Sequence, residues 1–174
     1  DGNTLPENTN RIDPKRGNDS LTNLQSVDVI SGPGNDSIVG VDVRYMLWYA
    51  RENLTVNLAE GFALDGFGFR DSLVGVTTVQ LPNDPDNPID STVIGSENDE
   101  TVFVFYGDNI LNLGGGSDRV IFYNSISSDY IFEKNNNSVI VTNIKTNTRT
   151  ELIGTEFIEF RPEQRIIDTA YLDS

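Results

Sequence analysis

The stretch Gly32-Pro33-Gly34-Asn35-Asp36-Ser37-Ile38 sets the reading of this chain. Its glycines permit a tight turn, Asp36 presents hard oxygen at the end of that turn, and the β-favouring residue two places on opens a strand. Weaker copies follow the same order: Gly17-Asn18-Asp19-Ser20-Leu21, Arg70-Asp71-Ser72-Leu73, Gly95-Ser96-Glu97-Asn98-Asp99 and Gly114-Gly115-Gly116-Ser117-Asp118-Arg119-Val120.

Their spacing carries more weight than their composition. Asp19, Asp36, Asn53 and Asp71 succeed one another at nearly equal steps. The step from Asp71 to Asp99 is longer, but it contains LPNDPDNPID, residues 81–90, which reads as an inserted loop. Asp118 follows Asp99, and Asn136 follows Asp118, at nearly the original step. A sustained period of about 18 residues predicts a solenoid with one coil per repeat. Equivalent residues would then stand roughly 4.8 Å apart up the stack. Two carboxylates ~5 Å apart repel by roughly 3 kcal/mol at an effective dielectric of 20. Such a ladder calls for a small hard cation between turns, and calcium suits flexible cages of oxygen.

Composition bounds the alternatives. The chain has 174 residues, with 27 Asp+Glu against 12 Lys+Arg and a net charge of −15. That charge argues against nucleic acid or an anionic membrane surface as partner. Cysteine and histidine are both absent, which excludes disulfides, thiolate zinc sites and histidine-based triads. At 37% apolar residues the chain can bury a thin core, and no apolar run is long enough to span a membrane. With no leader visible and no initial methionine, it reads as one domain or a module of a larger chain.

The local pattern is β throughout. Residues 1–15 read as a polar N-terminal cap or linker, 16–122 as the repeat solenoid interrupted by the 81–90 loop, and 123–174 as capping strands and a tail. Val102 to Tyr106 (VFVFY) predicts a strand covered on both faces, and Leu54 to Leu58 alternates as a half-buried strand should. Tyr45 to Glu52 (YMLWYARE) is the one plausible helical turn or thick coil. Asn135-Asn136-Asn137 and Lys145 to Thr148 read as hairpin turns, with antiparallel strands leaving the coil pattern there. Trp48, Tyr45 and Tyr49 suit packing at a coil edge or a sugar-stacking patch.

Three stretches together resemble the RTX, or hemolysin-type calcium-binding, repeat family of secreted bacterial proteins. They are SGPGNDSIVG at Ser31 to Gly40, LTVNLAEGFALDGFGFRDSLVGVTTV at Leu54 to Val79 continued by STVIGSENDETVFV, and Leu111 to Phe160. The last is similar to the final repeat and cap of RTX modules, including serralysin-type proteases and the R-modules of alginate epimerases. The resemblance implies an all-β, right-handed parallel β-roll or β-helix with Ca2+ between adjacent turns and a C-terminal β cap. It implies carboxylate ligation by Asp36 with carbonyls around Gly32 and Gly34, and by Asp118 with Gly114 and Gly116. Asp19, Asp71 and Asp99 match at the aspartate and less well in the glycines.

These features favour a non-catalytic, calcium-dependent structural or binding module, secreted and folding on Ca2+ after type I export. The alternative is a carbohydrate-binding or substrate-assisting module of an extracellular polysaccharide-modifying enzyme, with polysaccharide as partner. Catalysis within the chain has the weakest support, because the periodic acids are accounted for by turns.

Overall fold

Short β-branched runs behind glycine turns form strands wherever a neighbouring run supplies the matching edge. The computed structural model describes residues 11–172, so most of the expected N-terminal cap and the last residues of the tail lie outside the described residues. The strands are β1 (Arg11–Ile12), β2 (Ser20–Gln25), β3 (Asp28–Ile30), β4 (Ser37–Met46), β5 (Leu54–Asn57), β6 (Phe62–Leu64), β7 (Arg70–Gln80) and β8 (Ser91–Ile94). They continue as β9 (Thr101–Val104), β10 (Asn109–Asn112), β11 (Arg119–Phe122), β12 (Tyr130–Lys134), β13 (Val139–Asn143), β14 (Arg149–Ile153), β15 (Phe157–Phe160) and β16 (Arg165–Asp168).

The chain is all-β, and its sheet is mostly parallel. One parallel run takes β2 and β3 onto β4, then β7, β9, β11 and β15. A second takes β5 through β8 and β10 to β14. β6 pairs antiparallel with both β5 and β7 and so joins the two runs. β12 and β13 form an antiparallel pair laid against β14, and β16 folds back on β15. No helix among the described residues is long and apolar enough to cross a membrane.

Register shows where the sequence period holds. Ser20 faces Ser37, Ser91 faces Asn109 and Thr101 faces Arg119, each partner lying a single sequence repeat further along. Elsewhere an excursion lengthens the step. Ser37 faces Ser72 because residues 47–69 depart to form β5 and β6, and Arg119 faces Phe157 because the β12–β13 hairpin intervenes.

Alternate residues of each run point into a common core. Val102, Val120 and Ile158 are cross-strand partners, as are Val104, Phe122 and Phe160, and all are buried. Val56, Val93, Leu111 and Leu152 form the matching column of the second run. Burying each such side chain contributes about 1.5–3 kcal/mol. Phe160 stacks on Phe122 at 5.4 Å with Tyr130 at 5.2 Å, so the antiparallel strands close this end with aromatic surface.

Two expectations are corrected. Tyr45 and Met46 end β4, and only a turn follows at Trp48 and Tyr49, so no helical turn forms at Tyr45 to Glu52. Tyr45 faces Val29 on one side and Val79 on the other, and sheet partners on both edges override the local helical pattern. Asn53 does not continue the Asp36 column, because β4 pairs directly with β7 while Asn53 leads into β5 of the other run. The hairpin turns expected at Asn135–Asn137 and Lys145–Thr148 both form.

Candidate metal centre

Glycine allows the turns to touch. A Cβ on Gly34 would stand 2.0 Å from the Gly17 carbonyl oxygen, and one on Gly116 would stand 2.1 Å from that of Asn98. Both positions also have positive φ, 150° and 116°. Gly32 and Gly114 meet the carbonyls of Lys15 and Ser96 in the same way. All four glycines of the expected site therefore lie at turn-on-turn contacts.

Above these contacts the side chains lace successive turns in both directions. The Asp19 N–H donates to Asp36 Oδ1 (2.9 Å), and the Asp36 N–H donates to Asp71 Oδ1 (2.8 Å). One residue earlier the direction reverses: the Asn35 N–H donates to Asn18 Oδ1 (2.9 Å) and the Arg70 N–H to Asn35 Oδ1 (2.8 Å). The second ladder repeats both halves. The Glu100 N–H donates to Asp118 Oδ1 (2.7 Å), the Asp118 N–H to Glu156 Oε2 (2.8 Å), and the Ser117 N–H to Asp99 Oδ1 (2.8 Å). Backbone N–H groups thus stand between successive acids and offset the repulsion expected of a bare carboxylate ladder.

This pattern fixes the register of the acids. Asp19, Asp36 and Asp71 form one column, and Glu100, Asp118 and Glu156 form another. Asp99 occupies the position of Asn35, one residue before the column, and is exposed; the residue equivalent to Asp118 is Glu100, which is buried. A glutamate fills the aspartate position by closing its own turn, accepting from the Ser96 N–H and hydroxyl.

Burial divides the two columns. Asp71 has both oxygens occupied, Oδ1 by the Asp36 N–H and Oδ2 by the Tyr45 hydroxyl, and burial pushes its carboxyl up to about 6. Burial also raises Asp36, with Asp19 and Asp65 adding repulsion. Asp118 is fully buried, and its Oδ2 has no hydrogen-bond partner. Burial is the main cause that pushes its carboxyl up to about 7, and Glu100, Glu156 and Asp99 add to it. Asp19 Oδ2 and Asp65 Oδ2 are likewise buried without partners.

The donors are all oxygen, which suits calcium over softer metals. The unpartnered Oδ2 of Asp118 and of Asp19 are free to take a cation, so the chemistry of both columns fits one. Among the described residues no three acidic side chains converge as a ready-made cage, so carbonyl oxygens or water would complete any such shell.

Sequence reasoning missed Glu100, Glu156, Asp65 and a further pair, Asp90 and Asp108. The Asp108 N–H donates to Asp90 Oδ1 (2.8 Å), and the Arg149 N–H donates to Asp108 Oδ1 (2.7 Å). Glu100, Glu156, Asp90 and Asp108 each stand one residue before a strand, a signal open to a search for any acid at that position. Asp65 had no such signal: it caps its own turn by accepting from Phe67 and Phe69.

No protein-family model matches this chain, and no curated protein matches it.

Proposed function

We propose that this chain is a calcium-stabilised β-solenoid module of a secreted protein, structural or ligand-presenting, with no catalysis of its own. The observation that carries the reading is Asp118, a wholly buried carboxylate with an unpartnered oxygen, flanked by Glu100 and Glu156. An isolated buried charge is costly, and a cation on the free oxygen removes that cost. Parallel pairing between strands a single repeat apart supports one coil per repeat.

Asp118 would hold the ion through Oδ2, with the Gly114 and Gly116 carbonyls as the partners the repeat implies. Asp19 Oδ2 offers the equivalent oxygen at the other column, where Asp36, Asp71, Gly32 and Gly34 complete the neighbourhood. Calcium supplies positive charge there, and the chain's own turns supply the oxygens and fix their spacing. Because the ion binds the folded chain and not the dispersed carboxylates, its binding energy adds to folding. The module would then stay loose at low calcium during export and fold outside the cell.

Far-UV circular dichroism with thermal melting, run in chelator and then from micromolar to millimolar calcium with magnesium as control, tests this directly. A calcium-specific gain of β signal and of melting temperature is expected. Identical melts in chelator and calcium would reject the reading and leave the ladders as hydrogen-bonded structure alone.

A further inference from the structure

The chain carries 12 basic residues against 27 acidic ones, so a cation here rarely lacks an anion nearby. Ten of the twelve engage a partner through ion pairing, hydrogen bonding or an aromatic face. Among the described residues the two exceptions are Arg16 and Arg51. Both are exposed, and both line the same groove.

That groove has a volume of about 590 Å³ and adjoins the first glycine turn. Tyr49, 56% exposed, and the half-buried ring of Phe67 line it with Pro33 and Gly32. Gly32 presents bare backbone, since a Cβ there would collide with the Lys15 carbonyl. The one acid on the rim, Asp13, is taken by Lys15 at 2.6 Å. Two guanidinium forks thus have no partner among the described residues and stand beside aromatic and proline surface, in a protein of opposite overall charge.

We propose that Arg16, Arg51, Tyr49 and Phe67 form a binding site for a small aromatic carboxylate. The guanidinium fork matches a carboxylate in two parallel hydrogen bonds, and the rings give a flat ligand a face to stack on. The volume is that of a small-molecule site. The wall favours an aromatic ring over a sugar: each saccharide hydroxyl taken from water needs a polar partner, and the charges here stand apart from mostly apolar walls. The groove shares Gly32 with the neighbourhood of the Asp19 column but is lined by none of the acids of either column.

The test is calorimetric titration of the full chain with naphthoate, alongside neutral naphthylmethanol and an oligogalacturonate. Naphthoate is expected to bind at least about tenfold more tightly than the neutral analogue. The double variant Arg16→Ala/Arg51→Ala is expected to lose roughly 10–100-fold in affinity, and Tyr49→Ala less, with melting curves unchanged because these side chains are exposed. Arg161→Ala, remote in sequence and paired to Glu159, serves as the charge control and should leave affinity unchanged. Equal binding of the acid and the neutral ring, no binding of naphthoate, or full affinity in the double variant overturns the proposal. Preferential binding of oligogalacturonate also overturns it, in favour of a sugar-acid site.

Discussion

The two acid columns solve one problem in different ways. At Asp19, Asp36 and Asp71 the column ends on the Tyr45 hydroxyl, so the most deeply placed carboxylate has donors on both oxygens. At Glu100, Asp118 and Glu156 the middle acid has a donor on one oxygen only, and its neighbours are acids. The first column is satisfied at Asp71 and leaves its open oxygen at its other end, on Asp19, whereas the second leaves one at its centre, on Asp118. The same turn geometry can thus serve as a closed strut or as a ligand site, depending on whether a neutral donor fills the last position.

The largest effect should come where the columns are alike. Gly34→Ala and Gly116→Ala each drive a methyl into the carbonyl of the turn beneath, at a backbone angle other residues avoid. Each is expected to cost roughly 3 kcal/mol or more in chemical denaturation. Gly17→Ala is the control: φ is also positive, 124°, but nothing described stands within 4 Å of its Cβ, and the cost should fall to about 1 kcal/mol. Similar losses at all three would mean that strain at positive φ, not turn contact, sets the glycine pattern.

The columns should part company when their acids are neutralised. The Asp118 carboxyl is raised from 3.8 to about 7, so the folded state holds its proton more tightly than the unfolded state. Its contribution to stability is therefore full below the unfolded value and is lost as pH rises from about 4 through about 7. Asp118→Asn keeps the oxygen that accepts the Glu100 N–H and places donors toward the flanking acids. In chelator above neutral pH it should stabilise the fold by roughly 1–3 kcal/mol, flatten that pH profile and cut the response to calcium back to what the Asp19 column supports. Asp71→Asn sets an amide against the Tyr45 hydroxyl and should gain at least ~1 kcal/mol less. Equal gains at both positions would erase the distinction between the columns.

Tyr45→Phe converts the closed column toward the open one. It leaves Asp71 Oδ2 buried without a donor, at a cost of about 1–3 kcal/mol above neutral pH. The hydroxyl is a cause that lowers the Asp71 carboxyl, so without it the value should climb beyond about 6 and the loss of stability should run to higher pH. Melts of wild type and variant across that range decide this, since parallel profiles would mean the hydroxyl serves packing alone.

Much of this arrangement was legible in the residues. Asp19, Asp36, Asp71 and Asp118 each lie at the start of a strand and the glycines fall at turn contacts, since a side chain cannot occupy a carbonyl's place; what the residues did not show is that Asp36, Asp71 and Asp118 accept from the turn beneath and do not cap their own. The period misled where the chain left the parallel runs. Asn53 and Asn136 fall at the expected intervals, yet one leads into the other strand run and the other lies in the β12–β13 turn. Arithmetic along the chain cannot tell a repeat from an excursion of similar length. Asp90, the last residue of the inserted loop, is also a rung in its own right, accepting the Asp108 N–H.

The smallest expected effect bears on the rung where pattern and register disagree. Sequence pattern picks Asp99 as a ligand, whereas cross-strand register gives that position to Glu100. Asp99 is exposed and accepts one N–H, from Ser117, so Asp99→Ala should cost only about 0.5–1 kcal/mol and leave the calcium response intact. Glu100 is buried and holds the Ser96 N–H and hydroxyl, and Glu100→Ala should cost more, about 1–3 kcal/mol, while weakening the field around Asp118. Calcium titrations of the two variants, followed by melting temperature, read both quantities together. If Asp99→Ala removes the calcium response and Glu100→Ala spares it, the ion is held by the exposed row of side chains that reach forward, and the buried column is only a strut.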